Sequence, residues 1–454
     1  MRHKLLLLFP SALIFTFTHI HAQCSACFGS ATNFPVGANP YAVVSADFNN
    51  DGNMDLAAAN WSSSTVSVLL GNGLGNFGSA TNFSVGTNPR SLVTADFNTD
   101  GNMDLATGND GSNNVSVLLG NGNGTFAGAV NYSVAPAPEA LVANDFNSDG
   151  KSDLVSANYG SCNVSVLLNN GNGTFGAASN FTSGNGSFPS GLCSNDFNND
   201  GAHDLAAVSY STNDLSIIPG TGTGTFNAPL ISSPGTGSYS VCSADFNADG
   251  NADIAFPNAN NGNVSVLLGN GNGTFGAPTA FTAGSFAYFI CTSDFNMDGK
   301  ADLAVTNYSA NSVSVLMGMG NGQFCSAADF TTANNPTCVC SADFNGDGKP
   351  DLAVSNNYSN SVSVLLSCTP TGLDAQTEIL FSAYPNPAHN SFTIRANVPG
   401  FTAEVFDALG QKVLSRTFNS AYALIDLDEA VKGIYLVRIT TSGGRSSSTR
   451  IIVE

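Results

Sequence analysis

From Tyr41 onward the chain alternates short apolar runs with clusters of Asp, Asn and Gly. In the first cycle the apolar runs are 41–45, 56–59, 66–70 and 77–83. Runs of this length with period-two alternation, bounded by turn-forming residues, predict β-strands. We letter the four strands A to D. The A–B connection is an acidic loop, and the C–D connection is the glycine-rich stretch 71–75.

The cycle recurs. The segment Asp-Phe-Asn-x-Asp-Gly-x-x-Asp occurs seven times, starting at Asp47, Asp96, Asp145, Asp196, Asp245, Asp294 and Asp343. The interval is 49 residues, once 51. Four strands per unit of that length describe a propeller blade. The seventh repeat stops after strand C at Leu366, and a strand-D segment without a blade, 28–34, opens the body of the chain. That segment is predicted to complete the last blade and close the ring, which removes two open sheet edges. The fold class expected is all-β: a seven-bladed β-propeller over 24–368, then a small immunoglobulin-like β-sandwich.

Charge bears on partners. The net charge is −20. Residues 24–368 hold 25 acidic side chains against four basic ones (Arg90, Lys151, Lys300 and Lys349), about −21 in one region. Such a surface repels a phosphate backbone and argues against nucleic acid as a partner. Disorder is the plain consequence of high net charge, but 42% hydrophobic residues at strict spacing oppose it. The start of the chain reads as a secretory signal peptide over 1–22: Arg2 and Lys4, an apolar run from Leu5 to Phe17, and small Ala22. No transmembrane span is expected after its removal.

The acidic loops are candidate metal sites. In the first repeat the residues are Asp47, Asn49, Asp51, Asn53 and Asp55, at loop positions 1, 3, 5, 7 and 9. The second has Asp96, Asn98, Asp100, Asn102 and Asp104; the third Asp145, Asn147, Asp149, Lys151 and Asp153. The fourth has Asp196, Asn198, Asp200, Ala202 and Asp204; the fifth Asp245, Asn247, Asp249, Asn251 and Asp253. The sixth has Asp294, Asn296, Asp298, Lys300 and Asp302; the seventh Asp343, Asn345, Asp347, Lys349 and Asp351. Side chains at 1, 3 and 5 can converge, position 7 offers its carbonyl whatever its side chain, and position 9 is expected to close the cage. Oxygen-only donors suit Ca²⁺ rather than a soft metal. About seven structural Ca²⁺ ions are expected, each tying strand A to strand B. Asp, Asn and Gly also make good turns without a metal, but turn chemistry alone does not demand three carboxylates at fixed places seven times.

These residues carry a resemblance. Asp343-Phe-Asn-Gly-Asp-Gly-Lys-Pro-Asp-Leu352 followed by Val362-Ser-Val-Leu-Leu366 resembles the FG-GAP/VCBS-type repeat, related to the integrin α-subunit propeller. The resemblance spans 28–368. It implies Ca²⁺ in the A–B hairpin loops and leaves the ligand open, since the family includes adhesins, lectin-like proteins and domains attached to enzymes.

Beyond a linker at 369–376 the repeat vanishes and basic residues return. Alternating strands are predicted at 391–395, 403–407, 412–416, 423–427, 433–440 and 450–453. Tyr384-Pro-Asn-Pro387, Gly433-Ile-Tyr-Leu-Val-Arg-Ile439 and Ile451-Ile-Val453 resemble a type IX secretion C-terminal sorting domain, here 377–454. The resemblance implies the type IX machinery as partner, Gram-negative export, and release or anchoring at the outer cell surface.

Catalytic material is sparse. Of five histidines only His203 lies in the propeller, and the acids outside the loops are Asp110, Glu139, Asp214 and Asp329. An enzyme is not expected. Binding has better candidates: Trp61, Tyr159, Tyr210, Tyr308 and Tyr358 fall in B–C turns, on the face opposite the acidic loops. Their rings suit a glycan or a surface protein; packing between blades is the other use open to them. A structural envelope protein without a specific ligand and a glycan-degrading enzyme are the alternatives. Among the cysteines, Cys27 is expected to pair with Cys368, with Cys24 as rival. Cys193, Cys242, Cys291 and Cys340 occupy an apolar slot three residues before the loop.

Overall fold

A computed structural model of the chain describes residues 24, 26–184, 186, 188–235, 237–368, 381–389, 391–396, 400–427, 432–441 and 446–454. The expected signal peptide and the linker lie outside the described residues. The chain divides between Cys368 and Thr369 into two compact units.

The first unit contains seven four-stranded antiparallel sheets. In the first blade, strands A to D are Pro40–Ala46, Asp55–Asn60, Thr65–Leu69 and Thr81–Ser84. Strand A of every blade packs against strand A of the next, so the seven A strands line a central channel. Strand B is buried along its whole length, which explains its run of small residues, Ala57 to Ala59. Strand D is mostly exposed and buries only its phenylalanine in part.

Phe77, expected to begin strand D, stands outside it. It bridges back to Gly71, and its ring meets Phe344 at 5.6 Å and Phe34 at 5.2 Å. The ring fills the seam between two blades, and the ladder resumes only at Thr81. The same seam recurs around the ring. Phe126, from the second blade's C–D turn, meets Phe48 of the first blade's loop at 5.6 Å and Phe83 of its strand D at 5.3 Å. Edge-to-face pairs of this kind add to the area buried. A backbone bond accompanies them: Gly124 N–H donates to the Phe48 carbonyl at 2.9 Å.

The seventh blade is built from both ends of the unit. Pro336–Ala342, Asp351–Asn356 and Ser361–Leu365 are completed by Thr32–Pro35, with Phe34 opposite Val362. Phe28 takes the turn position and meets Phe295 at 5.8 Å and Phe330 at 5.2 Å. Disulfides Cys27–Cys368 and Cys24–Cys325 fasten this seam. Cys24 thus pairs with Cys325, which the sequence left without a role.

The second unit is a β-sandwich of a three-stranded and a four-stranded sheet. Its core includes Phe392, Ile394, Val405, Ile425, Val437 and Ile451. Phe381–Tyr384 adds a strand the sequence pattern did not predict; with four residues and alternating exposure it carries too short a signal.

Candidate functional site

The acidic loops are closed by their own side chains. In the first, Asp47 Oδ1 accepts the Asp51 N–H at 3.2 Å and Oδ2 accepts Gly52 N–H at 2.8 Å. Asn49 Oδ1 accepts Asp51 N–H at 3.0 Å, and Asp51 Oδ1 accepts Asn53 N–H at 2.8 Å. Gly52 sits at φ +85°, a conformation that favours glycine. The pattern repeats in the seventh loop, where Asp343 Oδ2 accepts Gly348 N–H at 2.7 Å. Positions 1, 3 and 5 are therefore tied together by the loop's own N–H groups, the Asn49 amide donating to Asp51 Oδ2 at 3.0 Å, before any ion is considered. The position-7 N–H holds the carboxyls of Asp51 and Asp100 below the usual range.

Position 9 behaves differently from the expectation that it simply closes the cage. Asp55 is fully buried, and its two oxygens are occupied: Oδ2 accepts Phe48 N–H at 2.9 Å and Oδ1 accepts Gly71 N–H at 2.7 Å. It staples the A–B loop to the C–D turn. Asp104, Asp153, Asp204, Asp253, Asp302 and Asp351 do the same in their blades. Burial pushes Asp55, Asp104, Asp153 and Asp204 up to about 6 and Asp302 up to about 7. Among the described residues no three His, Cys, Asp or Glu side chains form a metal cluster. Each loop offers two outward carboxylates with one amide, and the third carboxylate faces inward. That donor set still matches Ca²⁺ in chemistry: hard oxygens, net negative charge, one flexible turn. In the third and sixth loops the position-7 ammonium lies 3.2 Å from the position-5 carboxylate (Lys151–Asp149, Lys300–Asp298).

At the opposite end of strand A the repeat breaks down. Six residues before each loop, one position per blade, stand Tyr41, Arg90, Glu139, Ser190, Tyr239, Tyr288 and Thr337. All seven line one cavity of about 120 Å³ at the channel mouth. Arg90 Nη1 pairs with Glu139 Oε1 at 2.8 Å, with only 21% and 8% of the side chains exposed. Arg90 also lies over the Tyr41 ring at 5.5 Å. Burial pushes Glu139 up to about 7, against the pull of Arg90 and with the push of Asp110. Three of the four basic residues of 24–368 stand at loop position 7; the fourth is Arg90.

The predicted aromatics divide. Tyr210 stacks on Tyr239 at 4.3 Å, and Tyr239 on Tyr288 at 4.5 Å. Tyr308 lies 5.7 Å from Tyr288 and 5.8 Å from Phe286, while Trp61 lies 6.2 Å from Tyr41. These three B–C turn residues rim the mouth. Tyr159 instead packs on Phe188 at 5.3 Å and hydrogen-bonds Ser211, and Tyr358 is 66% exposed. Sequence reasoning passed over Tyr41, Arg90, Tyr239 and Tyr288, and it counted Glu139 only as a spare acid. Reading down the repeat at the sixth residue before each loop would have exposed them, because that column alone mixes aromatic, cationic, anionic and hydroxyl side chains. Of the other spare acids, Asp214 accepts from Ser233 at 2.8 Å and Asp329 from Ser314. Cys193, Cys242, Cys291 and Cys340 are free thiols on the inner strands.

Comparison with known proteins agrees with this architecture. The FG-GAP-like repeat family matches residues 47–107, 145–207, 196–256, 258–305 and 294–354. The secretion system C-terminal sorting domain matches 382–454. No curated protein sequence matches. Among solved structures, BBS1N in complex with ARL6DN is similar in two forms, soaked with lead and with mercury. Each is 12% identical, with TM-scores of 0.55 and 0.56. They cover 77% and 76% of this chain and 99% and 98% of theirs. PorZ, a surface component of the type-IX secretion system of Porphyromonas gingivalis, is 14% identical over 89% of this chain and 58% of its own, with a TM-score of 0.44. Identities this low speak for fold alone, and the PorZ score carries no argument. The two family matches together cover most of the chain: it belongs to the FG-GAP-like repeat family, and its sorting domain marks it as a protein secreted or anchored at the outer cell surface.

Proposed function

We propose that the chain is a non-catalytic, calcium-stabilised binding propeller that presents its variable face to a glycan or surface-protein ligand outside the cell. The observation that supports this most is the asymmetry between faces. Seven acidic loops and six C–D turns on one face repeat almost unchanged, while the one strongly varied column of side chains gathers at the mouth of the channel. A repeat protein that only needed to close a ring has no use for that variation. When bound, Ca²⁺ would be held by positions 1, 3 and 5 of each loop and would offset the repulsion between their carboxylates. The position-9 carboxylates act on the protein's own backbone.

The test is binding by the full chain to a glycan array and to whole cells, with and without EDTA. Binding that falls when Trp61→Ala or Tyr308→Ala is introduced supports the reading. Equal behaviour of both variants and the wild type in every binding assay points to an envelope protein without a specific ligand. Turnover of any polysaccharide in the array would remove the non-catalytic part.

A further inference from the structure

The channel mouth has dimensions and chemistry narrow enough to specify an occupant. About 120 Å³ is well below the roughly 300 Å³ at which drug-sized sites begin. A site of that volume is matched to a single ring rather than to several. The walls are the starts of the inner strands, so a polymer lying across the face reaches the cavity with its end alone.

Charge removes two classes of ligand. Residues 24–368 carry 25 acids against four basic residues, and the one cation at this site, Arg90, is already paired with Glu139 at 2.8 Å. Where Glu139 is ionised, above about pH 7, a polyanion meets repulsion and no free counter-charge. An ammonium ligand meets an aromatic cage in which Arg90 already lies over the Tyr41 ring at 5.5 Å. The remaining chemistry is a neutral polyhydroxylated ring. The faces of the Tyr210–Tyr239–Tyr288 stack are turned on one another, so the stack offers its apolar ring edges to the sugar's C–H groups and its phenols to the hydroxyls. Its vicinal hydroxyls find adjacent donors and acceptors in the guanidinium and carboxylate, fixed to each other and shielded from water.

We propose that the mouth of the central channel binds the terminal neutral sugar of a glycan end-on, the ring against the tyrosine column and its hydroxyls on the Arg90–Glu139 pair. This rests on the binding function above and gives that function a site and a ligand class.

Trp61, the sole tryptophan of the chain, lies 6.2 Å from Tyr41 at the rim, so the unmodified protein carries its own reporter. The full chain is titrated with the methyl glycosides of glucose, galactose, mannose and N-acetylglucosamine, and with glucuronate and galacturonate, following Trp61 emission and calorimetry. The expected result is saturable binding of at least one neutral glycoside, with a shift in Trp61 emission. Glu139→Gln and Tyr288→Ala should each weaken it at least tenfold, and Leu74→Ala, in the exposed C–D turn of the opposite face, should leave it unchanged. A uronate that binds more tightly than every neutral sugar overturns the proposal. So does a neutral sugar whose affinity survives both Glu139→Gln and Tyr288→Ala, or the absence of any sugar-induced change in the wild type. If the glycan array retains the chain while these monosaccharides neither bind nor compete, the pocket falls and the binding function stands. If the array and cells retain nothing, the function falls with it.

Discussion

The Ser363 hydroxyl donates to the carboxamide oxygen of Asn33 at 2.6 Å, across 330 positions of sequence. The contact is one copy of a relay that crosses strands B, C and D. In the first blade Asn60 donates to Ser67 at 2.8 Å, and Ser67 to Asn82 at 2.6 Å. In the second the same bonds join Asn109, Ser116 and Asn131. In these blades the serine of the Val-Ser-Val motif is therefore a buried polar link between flanking strands, satisfied on both sides; in the fifth blade Ser265 accepts from Asn258 but stands opposite Ala280 on strand D. Only in the seventh blade does the relay reach the other end of the unit.

That difference makes Asn33→Ala a test of closure. Asn82→Ala and Asn33→Ala delete the same hydrogen bond, each at about 1–3 kcal/mol because a buried hydroxyl loses its acceptor. Asn33→Ala should in addition free the first strand. Hydrogen exchange at Phe34 and Val362 should accelerate in Asn33→Ala, whereas Asn82→Ala should affect only its own blade. Equal exchange in the two variants would mean the first strand is held without the relay.

The two disulfides act on the same seam. Cys27–Cys368 closes a loop of 341 residues and Cys24–Cys325 one of 301. Cross-links over such lengths typically stabilise by a few kcal/mol. Cys27→Ser with Cys368→Ser should lower Tm by several degrees, and removal of Cys24 as well should lower it further. Mass spectrometry of the non-reduced chain checks the pairing directly. A Cys24–Cys368 peptide would contradict the structure.

Closure by residues 28–34 was legible because the repeat ends one strand short and the missing strand stands at the other end. Loop positions 1, 3 and 5 were legible because their chemistry is periodic. The inward turn of Asp55 was not. A buried carboxylate bonded to Phe48 and Gly71 has the same letter as a metal ligand, and only three-dimensional proximity of loop and C–D turn separates the two roles. The channel mouth was missed for the opposite reason. Arg90 and Glu139 are single departures from a repeat, and no local pattern marks them until seven strands bring their column to one point.

Asp51 and Asp55 should consequently respond differently to calcium. Asp51→Asn removes a carboxylate from the open side of the loop. Metal-free stability should stay within about 0.5 kcal/mol of wild type, while the rise in Tm on adding Ca²⁺ should shrink. Asp55→Asn replaces an acceptor with an N–H₂ facing a backbone N–H. It should cost about 1–3 kcal/mol with or without Ca²⁺. Thermal melts of both variants in EDTA and in millimolar Ca²⁺ decide this. Failure of Ca²⁺ to raise the wild-type Tm would remove the calcium reading altogether.

Glu139 gives a prediction in pH. Burial pushes its carboxyl from an ordinary 4.5 up to about 7, although Arg90 pulls the other way. Between those values the folded chain holds a proton that the unfolded chain has released, so stability falls as pH rises. The contribution is complete below about 4.5 and lost as pH passes about 7. Arg90 and the Tyr288 phenol stay protonated throughout this range, Tyr288 because burial raises it. The position-9 aspartates titrate nearby but are shared by any variant at residue 139, so they cancel in a difference. Glu139→Gln, which cannot ionise, should therefore gain on the wild type in Tm as pH is raised from 5 to 8, and that gain should level off above pH 8. Parallel curves over the whole range would show that Glu139 is ionised throughout and that Arg90 alone sets its state.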